Sequence, residues 1–225
     1  STVKEENINA LINELENEIR EIEELRIQNQ EFKEILNYKE RFNDYEFIGG
    51  NVIAKDAGNW FNVFTIDIGS SDGIDMSRKG LYSGYYPVVS GAGLVGRVIM
   101  AYPFSSKVLS IIDEDSVVSA IITKNRSLVE VKGDIALKES GLCIVENIKT
   151  GDESSIAPGD TVETSGMGGI FPKGIIIGKI KEVRRDDNNK GTYAILEPAV
   201  DFKRIETVFV MKSIINDDGM ESAAE

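Results

Sequence analysis

Two different periodicities divide the chain. Up to about residue 42, apolar residues return in steps of three and four: Ile8, Ile12, Leu15, Ile19 and Ile22, then Leu25, Asn29, Phe32 and Leu36, with Asn29 the one polar member. That spacing places them along one side of an α-helix. The segment contains no Pro and no Gly, and Thr2 followed by Glu5 fits a capping box. Two three-residue steps meet at Ile22, which reads as a shift of heptad phase. A helix this long, with so narrow a stripe, must lay it on something to be stable in water. The spacing favours a parallel two-stranded coiled coil in which Asn29 sets register. A helix packed along its own body is the alternative. On the first reading, these nine residues are the candidate dimer interface.

From Phe47 the period changes to that of strands. β-branched runs alternate with turn residues, giving twelve candidate strands between Phe47 and Met211. The breaks are glycine-rich: Gly69-Ser70-Ser71-Asp72-Gly73, Ser90-Gly91-Ala92-Gly93 and Ser165-Gly166-Met167-Gly168-Gly169. No long helical pattern separates the strands, so the expected fold is mainly β: two small barrels or sandwiches after the helix. A weak internal repeat points the same way. Gly93–Val98 resembles Gly174–Ile180, and each copy is followed by an apolar strand and then by a second one, Val117–Ile122 and Val208–Met211.

The expected organisation is a coiled-coil helix over residues 1–45, a β body over 46–212 and an acidic tail over 213–225 read as disordered. Within the body, one division takes 46–95 with 165–212 as one barrel and 96–164 as the other. A sequential split near residue 140 is the alternative.

Charge and composition narrow the chemistry. The 225 residues carry a net charge of −13, which disfavours nucleic acid and direct contact with an anionic leaflet. The segment to Tyr45 alone holds 12 acids and 6 bases. The chain has no histidine, which excludes Ser-His-Asp and Cys-His sites and histidine-based metal sites within it. The single cysteine, Cys143, lies in an apolar run and reads as a core residue. No catalytic, cofactor-binding or metal-ligating set emerges. No apolar run reaches the length that spans a bilayer, and the absence of an initiator Met fits a chain cut just after a membrane anchor.

Several motifs tempt and fail. Gly91-Ala-Gly93-Leu-Val-Gly96 is a literal GxGxxG, but a strand pattern follows where a phosphate-binding helix must begin. Gly169–Gly174 has the glycine spacing of a P-loop without its Lys and Ser/Thr. Asp113-Glu114-Asp115 reads as a solvated turn. Trp60-Phe61 and Tyr82 with Tyr85-Tyr86 fit partner docking or core packing about equally.

The pieces Asn59-Trp60-Phe61-Asn62, Asp67-Ile68-Gly69-Ser70-Ser71-Asp72-Gly73, Gly93-Leu94-Val95-Gly96-Arg97-Val98, Thr164-Ser165-Gly166 through Gly169-Ile170-Phe171-Pro172-Lys173-Gly174, and Pro198-Ala199-Val200-Asp201-Phe202 occur in that order. This order resembles the MreC family, the rod-shape-determining proteins of bacteria, over roughly residues 50 to 212. The resemblance implies two small β-barrels in a chymotrypsin-like arrangement without its active site. It marks Trp60, Phe61, Gly69, Gly73, Gly93, Gly96, Gly166, Gly169, Phe171, Pro172, Gly174 and Asp201 as structural or partner-binding loop residues.

The resemblance also implies a homodimer, able to assemble further, on the outer side of the cytoplasmic membrane behind a single transmembrane helix. Such a protein links MreB and membrane MreD to the elongation penicillin-binding protein and its glycosyltransferase. No cofactor is implied. Two other readings of the residues remain: a wall- or protein-hydrolysing enzyme with a carboxylate or Ser-Lys site, and an extracytoplasmic ligand-binding module.

Overall fold

The protein was analysed as a computed structural model, which describes residues 2–55, 62–77, 85–149, 156–185 and 191–214. Trp60, Phe61 and Tyr82 therefore lie outside the described residues, as do positions 215–225.

The gapless N-terminal pattern forms a single helix, α1 (Thr2–Arg41), with Lys39 and Arg41 in its last turn, where cations complement the helix dipole. Twelve strands follow: β1 (Tyr45–Lys55), β2 (Val63–Ile66), β3 (Pro87–Val89), β4 (Leu94–Ala101), β5 (Ser106–Ser110), β6 (Val117–Ile122), β7 (Leu128–Gly133), β8 (Cys143–Glu146), β9 (Thr161–Thr164), β10 (Ile176–Arg185), β11 (Thr192–Pro198) and β12 (Thr207–Ser213). All pairings are antiparallel and close two six-stranded barrels. Alternation fills their interiors: in β2, Phe64 and Ile66 point inward while Val63 and Thr65 are half-buried.

Going round the first barrel, the strand order is β12-β1-β2-β5-β4-β3; round the second it is β6-β7-β8-β11-β10-β9. The two orders are the same. The chain is thus two repeats of six strands, β1–β6 and β7–β12, and each gives its last strand to the other barrel. The weak sequence repeat is real at this level. Gly96 of β4 and Gly178 of β10 hold one position, each followed two residues on by a β-bulge in the pairing to the next strand. A Cβ on Gly96 would overlap the carbonyl oxygen of Leu109, and one on Gly178 that of Glu197. The strand crossing there admits glycine alone.

The barrel limits differ from the expected ones. The first barrel takes residues 45–110 and returns to collect 207–213, while the second occupies 117–198. Against the first division, β4 and β5 stay with the first barrel and β10 and β11 belong to the second, because ring closure is fixed by hydrogen bonds between distant strands, which local pattern does not reveal. Ser213, expected at the head of a disordered tail, pairs with Tyr45 in β12. Closure also leaves each strand paired on both sides, so the described strands offer no free sheet edge for a partner to extend. One apolar core runs through both barrels and reaches the helix end at Ile35, Tyr38 and Phe42.

Candidate functional site

The helix is two-sided, and the two sides do different things. All nine seam residues are exposed; Ile8 and Leu25 are each 57% accessible and Leu36 is 59% accessible. A second stripe, Ile35, Tyr38 and Phe42, is buried against the body. Packing of the helix on its own body is therefore confined to its end. Its last turns pack on the body, and its long stripe remains uncovered in the single chain. Sequence reasoning missed the buried set, although its three- and four-residue steps carry the signal.

The docking site lies where the barrels meet. Tyr38 and Phe42 stack with ring centroids 5.8 Å apart, and Tyr45 meets Phe42 edge-on at 6.5 Å. Arg41 lies 5.5 Å from the Phe42 ring centroid and donates from Nη2 to the carbonyl oxygen of Gly174 at 2.7 Å. Tyr38 faces the main chain of Ile176, and burial pushes its phenol above the ordinary tyrosine range. Gly91, in the turn before β4, abuts the main chain of Glu31. Gly91 and Gly174 occupy the corresponding turns of the two repeats, so the helix end contacts the same hairpin of each barrel. Gly93 sits in the same place between the barrels: a Cβ there would overlap the Ile176 carbonyl oxygen. The GxGxxG is thus a packing device at this junction, and β4 follows where a nucleotide site needs a helix.

Three carboxylates gather at the junction. Burial, then the charges of Glu34 and Glu206, raise the Glu31 carboxyl above its ordinary value.

Several of the other marked residues shape loops. Gly69 starts a 3-10 turn, Ser70–Asp72, which Gly73 ends. Ser70 and Ser71 donate to the carbonyls of Tyr102 and Pro103 at 2.8 and 2.9 Å, holding up the β4–β5 hairpin. That hairpin displays Phe104, 78% exposed, beside half-exposed Tyr102 and Met100. Gly166, Gly168 and Gly169 all have positive φ in the loop after β9, which Phe171 closes by burying its ring. Thr164 holds this loop: Oγ1 donates to the Pro172 carbonyl at 2.5 Å and accepts from the Ile175 amide at 2.9 Å. Ser165 Oγ bonds to Ser119 Oγ at 2.8 Å and accepts from the Met167 amide at 3.1 Å. These hydroxyls serve the loop; the bonds do not run to a lysine or a carboxylate. Asp201 Oδ1 accepts from the Lys203 amide at 3.0 Å and caps a turn beside a cleft of about 800 Å³.

Of the acid triplet, Asp113 is buried, contrary to a fully solvated turn, and its Oδ1 accepts from the Asp115 amide at 2.8 Å. Tyr86 is core, its hydroxyl accepting from the Asp75 amide at 2.8 Å, while Tyr85 is 38% exposed. Cys143 is buried with its thiol pushed up to about 12 by desolvation. Among the described residues, no group of three or more acidic or cysteine side chains is placed to hold a metal ion, and no helix is long and apolar enough to cross a membrane.

This architecture has known relatives. Residues 52–212 match the family model "Rod shape-determining protein MreC, barrel core". The chain belongs to the MreC family. It is 28% identical over 192 residues to the cell shape-determining protein MreC of Listeria monocytogenes, covering 85% of this chain and 62% of that one. It is likewise 28% identical over 204 residues to MreC of Bacillus subtilis, covering 84% and 65%. The chain thus spans between about half and just under two thirds of the length of the MreC proteins it matches.

A solved MreC from Listeria monocytogenes superposes with a TM-score of 0.63 at 27% identity, over 91% of this chain and 93% of that one. A complex between Penicillin-Binding Protein (PBP2) and MreC from Helicobacter pylori matches at 0.56 and 17%, over 76% of this chain and 99% of that one, a likeness of fold. The MreC barrel core matched here spans both six-stranded rings.

Proposed function

We propose that this chain is the extracytoplasmic part of a non-catalytic scaffold of the cell-elongation machinery. The helix is a stalk that joins two copies and sets the body's distance from the membrane; at about 1.5 Å per residue, its 40 residues reach about 60 Å. The barrels are the body that partners grip. Through them the protein links the membrane complex of MreD and MreB to the elongation penicillin-binding protein and its glycosyltransferase, and so maintains cell shape. It is anchored by a single transmembrane helix and needs no cofactor.

The observation that carries this reading is the uncovered stripe from Ile8 to Leu36 on a helix whose end is fixed to the body. Charged flanks and a polar Asn29 in the seam suit a two-stranded coil. Membership of a cell-shape family supports the scaffold role, and the Helicobacter complex supports a penicillin-binding protein as partner. The hydroxyls of Thr164 and Ser165, tied into their loop, favour a scaffold over a hydrolase.

The test is affinity capture of the full-length membrane protein with its penicillin-binding protein. It is repeated with a charge reversal on each barrel, Lys107→Glu on the first and Lys181→Glu on the second. Capture, weakened by one reversal, is expected. Failure to capture any wall synthase, or turnover of peptidoglycan abolished by one point substitution, overturns the reading.

A further inference from the structure

The two barrels provide an internal comparison. β4 and β10 hold the same place in the two repeats, and each carries one inserted residue in its pairing with the next strand. In β4 this is Ile99, between Val98 and Met100; in β10 it is Lys181, between Ile180 and Glu182. Counting on from the insertion, Met100 corresponds to Glu182 and Tyr102 to Arg184. In the second barrel this stretch is charged, and Arg184 pairs with Glu182. In the first barrel Ile99, Met100 and Tyr102 are exposed and apolar, and the Tyr102 hydroxyl donates to Met100 Sδ at 2.8 Å. The same backbone accepts either chemistry. Closing the ring therefore does not require these three side chains to be apolar, and leaving them in water forgoes the benefit of burying them.

Phe104, at the tip of the hairpin, extends the apolar face. The tip is held in shape by its own chain. The Tyr102 amide donates to the Ser105 carbonyl at 2.8 Å, and Pro103 fixes its own φ between them. Gly69 packs beneath so closely that a Cβ there would overlap the carbonyl oxygens of Tyr102 and Pro103. A tip ordered in advance loses little freedom on docking, and aromatic and Met side chains are the ones enriched at the centres of protein interfaces.

Charge indicates what faces it. From Tyr85 to Ile112 the sequence contains no Asp or Glu but holds Arg97 and Lys107, within a chain of net charge −13. Lys107 lies in β5 opposite Met100. The carboxylates at the base of the hairpin are engaged: Asp72 Oδ2 accepts from the Gly69 amide at 2.8 Å, and Asp67 Oδ2 accepts from Asn51 Nδ2 at 3.0 Å. The face is thus apolar with a basic flank, on an otherwise acidic protein.

We propose that the outer face of β4, with the β4–β5 hairpin, docks a partner protein whose own surface is apolar at its centre and acidic at its rim. This rests on the scaffold reading above and names the face by which the first barrel is gripped. Recognition runs through side chains, because the strands are already paired on both sides. The charged counterpart on β10 takes no part in it.

The experiment measures binding of the full-length membrane protein to its full-length elongation penicillin-binding protein by biolayer interferometry, at low and high salt. Met100→Ser/Phe104→Ser removes the apolar centre, Lys107→Glu reverses the flank, and Lys181→Ser/Glu182→Ser alters the matching place on the second barrel. Unchanged guanidinium midpoints verify that each variant folds. The expected dissociation constant rises at least tenfold in the first variant. It rises severalfold in the second, with a weaker salt dependence, and stays within twofold in the third. A wild type that binds while Met100→Ser/Phe104→Ser binds within twofold of it overturns this face and leaves the scaffold reading standing. A wild type that does not bind overturns both. A fall in the protein's own sedimenting mass in the first variant, with partner binding intact, assigns the face to contact between copies and overturns the proposal.

Discussion

Arg41 at the end of the stalk hydrogen-bonds the carbonyl oxygen of Gly174 across 2.7 Å, joining residues 133 apart in the chain. It connects the helix to the second barrel, although the strand that follows the helix, β1, belongs to the first. Removing the guanidinium in Arg41→Ala deletes a charged hydrogen bond at a partly exposed site. The expected loss is about 1 kcal/mol in denaturant unfolding, with faster amide exchange confined to residues 31–42. No change in the exchange of that segment would mean that Arg41 does not hold the joint.

The pairing of Gly96 with Gly178 across the repeat predicts matched outcomes. Gly96→Ala and Gly178→Ala each push a methyl group into a carbonyl oxygen of the neighbouring strand. Each is expected to cost about 3 kcal/mol or more, because the ladder must open to admit it. Guanidinium titrations of both variants check this. Near-neutral behaviour of one alone would break the structural equivalence.

Glu31 gives the joint a pH dependence with a definite sign. Its folded carboxyl titrates above the ordinary value, through burial first and then repulsion by Glu34 and Glu206. A raised acid favours the docked state below its undocked pKa and loses that contribution as pH rises through the docked one. Docking of the helix end therefore tightens in mildly acidic solution and loosens toward neutrality. Exchange rates of residues 31–42 measured from pH 4 to 7, corrected for intrinsic exchange, follow that trend. In Glu31→Gln the trend is expected to flatten.

Cys143 is expected to resist thiol reagents. With its thiol at about 12 and the side chain buried, almost no thiolate forms at pH 8. Modification by an aromatic disulfide reagent should run at least a hundredfold slower in the folded chain than in denaturant. Comparable rates would show that the β7–β8 region opens readily. The same inertness allows probes to be placed on introduced surface cysteines without replacing the native one.

The elements were legible because their signals are local. The helix from Thr2 to Arg41 and the twelve strands between about Phe47 and Met211 lie where periodicity and glycine breaks put them. The family motifs were legible as an ordered set of turns. Their roles were not. Gly93 and Gly96 serve contacts with residues far along the chain, Ile176 and Leu109, which no spacing encodes. Asp113 read as a solvated turn because its neighbours are charged, yet the crossover to the second barrel buries it.

By itself, the sequence determined a long helix with an apolar stripe, a mainly β body with a weak internal repeat, a chain without histidine chemistry, and the family to which such a pattern belongs. These follow from hydrophobic period, composition and turn residues, which act over a few neighbouring positions. Only the tertiary structure decided that each repeat lends its last strand to the other barrel. It also decided that Tyr38, Arg41 and Phe42 fasten the stalk where the two barrels meet, and on which side of the helix the body hangs. Those choices depend on which distant hydrogen-bonding groups and apolar faces find one another when the rings close, and that information appears only once the chain has folded.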